Sequence, residues 1–494
     1  TDKTWREPQH GVMDMIHPNG WGNWMFRLDT IDAASRRVTF AEGGWQEARG
    51  FAINNYAFGD DMSGDTTDET PTFRGYAGPF FVENILEELD EPGEWIYLPS
   101  RVRECSAEDG EGDVGCAGSA GEIRIIPPTG VNLEDETVEV VLGVLSRLVE
   151  IIGDDTSAVR GVTFRDVTFT HTRPTYMDPY EVPSGGDWAL HRGGAVYVTN
   201  ATDVHIEGCR FDQVGGNAVY FSGRVYDSQV HHTECVGAGE SCVVMVGTTR
   251  YMDGTDGEQP TNCTVHHNVF HNWGLYGKQT AGHFEAIAAR NTVSYNVMFN
   301  GPRAGIVYND GFAGGGVVEG NLVFNVVQES GDHGTFNSWD RQPFLYRTAA
   351  GSVELVPEMS FIRRNFFFRN SYMFPTSNLY TIDHDDGSSM FLDTDNVLVQ
   401  GGVKLRDGLH RVARDNLIIY PTGPEPYMCA FQVNGFTTMA CVNNTLLSSS
   451  GQVYGFCAFY NPEQGQVSVA NNSFFTPGEP TLPFDSGACG GHHV

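Results

Sequence analysis

The chain has 494 residues, of which 40% are hydrophobic and 12% aromatic, and it carries 63 acidic against 30 basic residues, a formal net charge of −33. A polyanion of this strength repels a phosphate backbone and an anionic lipid surface, which argues against nucleic acid or a membrane as a partner. The sequence has no run of about 18 apolar residues, so it predicts no transmembrane helix.

The first 155 residues are predicted to form a mainly β region that packs on or caps the rest of the chain. They contain aromatic clusters, an acidic stretch at 60–69, and strand-like runs at 138–142 and 148–152. Residues 81–89 are the one helical candidate. We therefore expect an N-terminal β-rich domain with one short helix.

From residue 156 to the C-terminal region a short pattern recurs: an apolar residue, two variable residues, usually Asn, and then apolar residues. Seven asparagines hold this position, namely Asn268, Asn296, Asn321, Asn365, Asn416, Asn444 and Asn472. Their spacings are 28, 25, 44, 51, 28 and 28 residues, and the two large values fit either two turns or one turn with an insertion. A sustained period near 25 is typical of a parallel β-solenoid and not of a β-sandwich with coincidental Asn turns. The predicted fold class is therefore all-β, with a parallel β-helix over 156–494.

Ten cysteines occur without a C-x-x-C pair, so the spacing indicates no zinc site. Their even number predicts five disulfides, which form in oxidising compartments. Because Thr1 opens directly on polar sequence, we expect a mature, secreted, extracellular protein. Four sequons are candidates for N-glycosylation: Asn200, Asn262, Asn443 and Asn471.

Polar residues recur at similar distances after the corner asparagines. They are His283 and Glu285, then Asn309 and Asp310, then Asp332, His333, Asp340 and Arg341, and, after a longer insertion, Asp383, His384, Asp385 and Asp386. The first three groups are predicted to lie on neighbouring turns and to form one wall. Carboxylates that converge in a groove suit glycoside hydrolysis, because one can donate a proton while another acts as base or nucleophile.

We predict that Asp310, Asp332 and Asp385/Asp386 line this groove as catalytic carboxylates. Either Asp332 or Asp385 would be the general acid, and His333 would lie beside Asp332 and tune its protonation. Trp339 and Arg341 would contact the substrate, and His283 and Glu285 belong to the same binding wall.

Simpler interpretations of these residues remain open. Residues 309–311 form a standard tight-turn sequence, and 383–387 are also compatible with a solvated turn. The same run resembles a calcium loop, although its Gly and terminal Glu are misplaced for an EF-hand, so a structural Ca²⁺ is an alternative there. No cofactor is required by the predicted chemistry.

Several stretches resemble secreted right-handed parallel β-helix proteins, many of them carbohydrate-active, including glycoside hydrolase family 141. These stretches are FFVENILEELDEPGEWIYLP (80–99), IRIIPPTGV (123–131), VRGVTFRDVTFTHT (159–172), SGDHGTFNSWDR (330–341), IDHDDGSS (382–389) and GGVKLRDG (401–408). The resemblance covers about residues 75–420 and implies a right-handed coil. It also implies functional roles for Asp332, His333, Asp340, Arg341, Asp383, Asp385, Asp386 and Lys404.

Three functions follow as hypotheses. The first is a glycoside hydrolase acting on an extracellular polysaccharide or glycan. The second is a polysaccharide lyase or uronate C5-epimerase, in which Lys278, Lys404 or Arg406 would serve at the C5 proton. The third is a non-catalytic extracellular or filament-forming glycoprotein, because solenoids stack readily and self-association would suit them.

Overall fold

The protein is described by a computed structural model, which divides it into two compact units. The described residues are 5–17, 20–32, 34–35, 37–46, 79–98, 121–154, 156–183, 188–250, 253–310, 314–331, 333–340, 345–347, 353–355, 358–369, 380–421, 427–432, 437–449, 454–459 and 465–477. Neither short helix in these ranges has the length or hydropathy needed to span a bilayer.

The first unit, mostly residues 1–142, contains a four-stranded sheet and a separate hairpin. The sheet strands lie in the order Arg37–Gly43, Asn23–Asp32, Val12–Ile16 and Phe80–Glu83, and the hairpin pairs Trp95–Leu98 with Glu122–Ile125. Its core consists of Met13, Met15, Trp24, Phe26, Leu28 and Ile85. The two helices are the 3-10 turns Pro8–His10 and Leu86–Glu88.

The prediction of a helix at 81–89 is wrong. Phe80–Glu83 is a strand that pairs antiparallel with Val12–Ile16, and the 3-10 turn Leu86–Glu88 follows. Asn84 between them has a φ of 60°, which an α-helix does not allow. Residues 138–142 are irregular rather than a strand, whereas the run at 148–152 forms Val149–Ile152. Pairing with a distant strand thus overrides the local helical pattern.

The second unit contains a coil of parallel strands in three sheets, which we call A, B and C in the order each turn visits them. Sheet A contains Val149–Ile152, the first half of Val196–Glu207, Val219–Tyr226, Val243–Val246, His283–Ala286, Ile306–Asn309, Phe336–Trp339, Tyr380–His384, Gly402–Arg406, Tyr427–Gln432 and Tyr454–Phe459. Sheet B contains Val159–Arg165, the second half of Val196–Glu207, Gln229–His231, Thr264–His266, Thr292–Ser294, Val317–Glu319, Ser360–Arg363, Phe391–Thr394, Arg411–Arg414, Thr437–Val442 and Gly465–Ala470. Sheet C contains Thr168–Thr170, Arg210–Asp212, Glu234–Val236, Val269–His271, Val297–Phe299, Leu322–Val326, Phe366–Arg369, Val397–Val399, Leu417–Ile419, Thr445–Leu447 and Ser473–Phe475.

The predicted parallel β-helix is confirmed, and its first strand begins at Val149, a few residues before the expected start at 156. Two hairpins leave the coil directly after sheet A: Thr248–Arg250 with Asp253–Glu258, and Leu345–Arg347 with Val353–Leu355. Alternate side chains of each strand point into the coil, where they form one continuous apolar core.

The predicted asparagines form a buried ladder between sheets B and C. The side-chain oxygen of Asn296 accepts the backbone N–H of Asn268 at 3.0 Å and its side-chain N–H at 2.9 Å, and the same pair of bonds links each later rung. An eighth rung, Asn396, divides the spacing of 51 into 31 and 20. The spacing of 44 is one turn with an insertion, because Asn321 and Asn365 bond directly.

The left-handed residue at this corner is the one before each asparagine, not the asparagine itself. Tyr295, Arg364 and Asp395 have φ values of 54°, 57° and 58°. The ladder position therefore selects Asn for its paired donor and acceptor groups, which no other side chain except Gln supplies.

The expectation of five disulfides is wrong. Cys235–Cys242 and Cys429–Cys441 are bonded, but Cys209 and Cys263 are buried free thiols. Burial raises the pKa of Cys263 to about 12, so this residue acts as a small core hydrophobe. Cys105, Cys116 and Cys489 lie outside the described residues, and the side chain of Cys457 is not described.

Candidate active site

A cluster of charged side chains lies on the outer face of sheet A, at its strands Phe336–Trp339, Tyr380–His384 and Gly402–Arg406. Asn337, Asp383 and Lys404 occupy one register position on consecutive turns and point outward. Because side chains alternate along a strand, Asp383 and Asp385 share this outer face while His384 between them points into the coil.

Lys404 lies at the centre of the cluster. Its Nζ is 3.0 Å from Oδ1 of Asp383 and 3.1 Å from Oδ1 of Asp385. Arg406 contacts Asp385 at 3.2 Å and Asp386 at 2.6 Å, and Asn337 donates to Asp383 at 3.2 Å. Asp383 and Lys404 are fully buried, so each charge depends on its partners for stabilisation.

The protonation of Asp385 follows from these contacts. Burial favours the neutral acid, but the charges of Lys404 and Arg406 outweigh it and hold the pKa of Asp385 below its ordinary value. Asp385 is therefore ionised at neutral pH, a state that suits a base or nucleophile rather than a proton donor.

His333 and Arg303 form a second buried pair beside the cluster. Nη2 of Arg303 is 2.8 Å from Nε2 of His333, and Oγ of Ser330 is 2.5 Å from its Nδ1. Burial, together with the charges of Arg303 and Lys404, lowers the pKa of His333 well below its usual range, so the ring is neutral. Its described partners are thus Arg303 and Ser330 rather than an aspartate, and Asp332 lies outside the described residues.

Arg303 was not anticipated from the sequence. Burial lowers its pKa to about 10, an effect that the nearby charges of Asp383 and Asp385 partly offset. Its Nε and Nη1 atoms are buried and have no hydrogen-bond partner among the described residues. Buried donors normally have an acceptor, so these two atoms set Arg303 apart from the other charged groups of the site.

Aspartates also follow directly after sheet A on consecutive turns, in a row that we call the acidic edge: Asp310, Asp340, Asp386 and Asp407. The backbone N–H of Asp310 donates to Trp339 at 2.8 Å, and that of Asp340 donates to Asp386 at 3.0 Å. Neighbouring turns are about 4.8 Å apart. The structure therefore brings Asp310, Asp340 and Asp385/Asp386 to one side of the coil.

A pocket opens at the corner that follows sheet A. It has a volume of about 380 Å³ including its mouth, and its lining includes Asn309, Asp340 and Ser360. The Oδ1 atom of Asn309 is buried without a hydrogen-bond partner among the described residues. Asp310 itself is fully buried and accepts a hydrogen bond from Nε1 of Trp188 at 2.9 Å, which fixes its position.

His283 and Glu285 point into the coil rather than onto the outer face of sheet A, although Glu285 also lines the pocket at the corner, and their role in substrate binding stays a prediction. His283 occupies the same register position as Val243 and Ile306, whose side chains belong to the core. Its Nε2 lies 3.2 Å from Oε2 of Glu285, and both side chains are buried inside the coil. Each gives the other a polar partner in the core, which a buried polar side chain needs, whereas Nδ1 of His283 has no hydrogen-bond partner among the described residues.

Trp339 faces outward but is only 6% exposed, so it is not an open platform for a sugar ring. It packs in an apolar cluster with Trp188, Phe284 and Val307. Arg341, the other expected substrate contact on this turn, lies outside the described residues.

An internal network supports the outward carboxylates and was missed at the sequence level. Nδ1 of His384 is 2.6 Å from Oγ of Ser338, and its Nε2 is 3.0 Å from Oδ2 of Asp393. All three side chains are buried in the coil, away from any substrate. By anchoring His384 inward, the network fixes the strand so that Asp383 and Asp385 point outward. The alternation in Asp383-His384-Asp385 was the available signal.

The described residues contain no group of three or more His, Cys, Asp or Glu side chains arranged to hold a metal ion. Residues 383–387 have a sequence that resembles a calcium loop. In the structure the carboxylates of Asp383, Asp385 and Asp386 contact Lys404 and Arg406. A structural Ca²⁺ at this place stays a prediction from the sequence.

Three of the four candidate glycosylation sites are exposed. Asn262, Asn443 and Asn471 lie at surface corners, and the latter two directly precede ladder asparagines. Asn200 is half-buried, and its side chain bonds Gly153 and Arg224. We therefore expect glycan attachment, if any occurs, at the three exposed corners.

Glu240 is a second carboxyl that the sequence did not single out. It is buried on the outer side of sheet A, where its Oε1 accepts hydrogen bonds from Thr175 at 2.9 Å and from the hydroxyl of Tyr180. Burial raises its pKa. The folded state thus binds the proton of Glu240 more tightly than the unfolded chain does. The protonated carboxyl group therefore stabilises the fold fully below the unfolded pKa of 4.5, and this stabilisation is lost as pH rises through the folded pKa.

We expect Glu240→Gln to stabilise the protein at pH 8 relative to wild type and to have a much smaller effect at pH 5. The amide keeps an acceptor for Tyr180 but removes the titration. Thermal melts at the two pH values test this, and a change of 1 kcal/mol would shift Tm by roughly 1–2 °C in a chain of this size. The exposed Glu91→Gln is the control; an equal shift at both pH values would contradict the expectation.

The coil is similar to a solved structure described as a glycoside hydrolase, with a TM-score of 0.55 and 13% identity over 100% of this chain and 72% of that chain. Two weaker likenesses are the catalytic unit of a GH87 alpha-1,3-glucanase from Streptomyces thermodiastaticus (TM-score 0.38, 12% identity, 68% of this chain and 65% of that chain) and PfbA, a surface adhesin of Streptococcus pneumoniae (TM-score 0.33, 14% identity, 70% and 80%). No protein-family model and no characterised protein matches the sequence. At such identities the likeness establishes the fold alone, and membership of family 141 stays a prediction.

Proposed function

We propose that the protein is a secreted, extracellular carbohydrate-active enzyme that hydrolyses glycosidic bonds of a polysaccharide or glycan at the acidic edge. One observation carries the proposal: aspartates on consecutive turns follow one edge of sheet A, next to the ionised Asp385. Paired carboxyl groups in unlike environments are the requirement of this chemistry. The named function of the solved structure with the TM-score of 0.55 agrees with this choice.

In this proposal Asp385 is the base or nucleophile, because Lys404 and Arg406 hold it ionised. The proton donor is then a carboxyl on a neighbouring turn, and Asp340 is the described candidate, with Asp332 as the candidate from sequence. Asp340 lies opposite Asp386 in the register, one position beyond Asp385. Product stereochemistry would report the separation of the two carboxyl groups, because retaining enzymes hold them roughly 5 Å apart and inverting enzymes roughly 6.5–9.5 Å apart.

A polysaccharide lyase or uronate C5-epimerase is the second candidate, and a specific observation favours it. Arg303, Lys404 and Arg406 bring three cationic groups to the site, and two nitrogen atoms of Arg303 have no partner among the described residues. Such groups would neutralise a uronate carboxylate and so ease removal of its C5 proton.

A panel of neutral and uronate-containing polysaccharides separates these functions. A hydrolase releases reducing ends without absorbance at about 235 nm, whereas a lyase produces both, and an epimerase changes the uronate composition without cleavage. Hydrolysis of any member of the panel is the expected result. Absence of every one of these changes across the panel would contradict both enzymatic candidates and favour an extracellular structural glycoprotein.

A further inference from the structure

The pocket at the corner after sheet A, which we call the corner pocket, extends from the surface into the coil. Glu285 and Tyr308 line it from the inner side, because these two residues are paired in register at positions that point into the core. Ala286 and Asn309, the next pair along the same two strands, line it from the outer side. Side chains alternate between the two faces of a strand, so a pocket lined by both faces passes inward rather than along the surface.

Two polar atoms of this lining are buried without a hydrogen-bond partner among the described residues: the hydroxyl oxygen of Tyr308 and Oδ1 of Asn309. Burial and the charge of Glu285 raise the pKa of Tyr308 well above its ordinary value, so the hydroxyl group keeps its proton and can donate it. Folded proteins leave few buried polar atoms unpaired, and each such atom needs an explanation. A donor and an acceptor that line one pocket are explained by a ligand that offers both an acceptor and a donor.

The size and the charge of the corner pocket limit its occupant. Its volume of about 380 Å³, mouth included, lies at the lower end of the roughly 300–1,000 Å³ range of small-molecule sites, which suits one sugar ring and not a chain of rings. The carboxyl groups of Glu285 and Asp340 line it, and the described lining contains no Lys or Arg, so it disfavours a sugar that carries a carboxylate. Ile287 and Phe391 supply apolar surface on which the carbon face of a sugar ring can pack.

We propose that the corner pocket binds the terminal sugar of a neutral glycan chain, so that the enzyme removes single sugars from chain ends. The choice of a sugar rests on the proposed hydrolysis, and the pocket adds which unit of the chain is bound and that this unit is uncharged. Asp340, the described candidate for the proton donor, lines the same pocket, so the bond that it would protonate lies next to the bound sugar. Each cleavage consumes one water molecule and releases one sugar with a free reducing end. A pocket that passes inward does not admit the interior of a long chain.

Tyr308 and Asn309 are then the residues that recognise the terminal sugar. The hydroxyl group of Tyr308 donates to a sugar oxygen, and Oδ1 of Asn309 accepts a hydrogen bond from a sugar hydroxyl group. Neither atom bonds to another described residue, so their removal costs the fold no hydrogen bond among these residues. Replacing an unpaired buried polar group by an apolar group of the same shape is close to neutral for stability or stabilising. Loss of binding without loss of stability is therefore the signature of this role.

A ligand-observed NMR titration of the full chain tests the proposal, with methyl glycosides of glucose, galactose, mannose, xylose, arabinose and fucose, and with glucuronic and galacturonic acids. We expect at least one neutral glycoside to bind with a Kd of about 1 mM and neither uronic acid to bind. Tyr308→Phe and Asn309→Leu should each raise this Kd at least about tenfold without lowering Tm. The matched control is Tyr220→Phe, which removes a buried hydroxyl group that also has no partner among the described residues, three turns away on the outer face of sheet A.

The proposal is overturned if no neutral glycoside binds up to about 100 mM, if the uronic acids bind equally well, or if both pocket variants bind like wild type. A lower Tm in both variants, or an equal loss of binding in Tyr220→Phe, would also overturn it. On a polysaccharide that the enzyme cleaves, single sugars should be the first product, and oligosaccharides of mixed length at the earliest times would contradict the proposal. The expected binding pattern without hydrolysis of any polysaccharide would support the pocket and contradict the proposed hydrolysis alone, because the titration requires no cleavage.

Discussion

Asp385→Asn is expected to reduce turnover of the polysaccharide by about 10²-fold or more while leaving the fold intact. The amide cannot act as base or nucleophile, yet it fills the same space. Lys404 keeps Asp383 as a partner, and Arg406 keeps Asp386. The measurement is kcat on the substrate that the panel identifies, with Tm as the check on folding.

The control for this substitution is Asp395→Asn. Asp395 is exposed at the corner between sheets B and C, and its φ of 58° is one that Asn also tolerates. The Asp395→Asn variant should retain full activity. Full activity in Asp385→Asn would remove Asp385 from the mechanism. Asp332→Asn is the parallel test of the carboxyl group that only the sequence predicts.

Asn365→Ala is expected to lower the free energy of unfolding by about 2–5 kcal/mol, a large effect for one side chain. The Oδ1 atom of Asn365 accepts two hydrogen bonds from Asn321, at 2.9 Å from its backbone and 3.0 Å from its side chain. The Nδ2 atom of Asn365 donates to Val318 and Asn396. Alanine leaves buried donors and an acceptor unsatisfied, each costing about 1–3 kcal/mol.

Denaturant unfolding measures this change, and the chain contains a matched control. Asn300→Gly removes one rung from the exposed row of Asn272, Asn300 and Asn325, where water replaces the lost partner, and glycine tolerates the φ of 59° at this position. Its effect should stay within about 0.5 kcal/mol. Equal losses in the two variants would show that burial does not set the strength of the ladder.

The coil was predictable because its asparagines repeat with a period near 25 amid β-branched residues, a combination typical of β-solenoids. Asn396 escaped notice because its turn is only 20 residues long, and the spacing of 51 concealed it. The spacing of 44 between Asn321 and Asn365 could not be interpreted from the sequence. An inserted loop and a second turn of the coil would both add residues between the two asparagines. The helix expected at 81–89 failed because pairing with Val12–Ile16, a distant segment, decides that region.

The site was only partly predictable, and the reason is the alternation of side chains along strands. Counting from the asparagines brought Asp310, Asp340 and Asp386 together, and in the structure all three follow a strand of sheet A. The same counting placed His283 and Glu285 with them, although they point inward. The polarity of a residue alone does not show whether its side chain points into the coil or out of it. Aligning His283 with the apolar Val243 and Ile306 would have shown that it points inward. Arg303 lacked any signal, because its partners come from other turns.

The hairpins that leave the coil after sheet A have a consequence for how this protein can diversify. Between Trp339 and Ser360 the chain departs and returns, yet Phe336 and Phe361 continue the registers of their neighbours. The scaffold therefore tolerates changes of loop length at the very corner where the acidic edge lies. Exchange of this one segment between related coils is a route to new specificities that leaves the supporting framework unaltered.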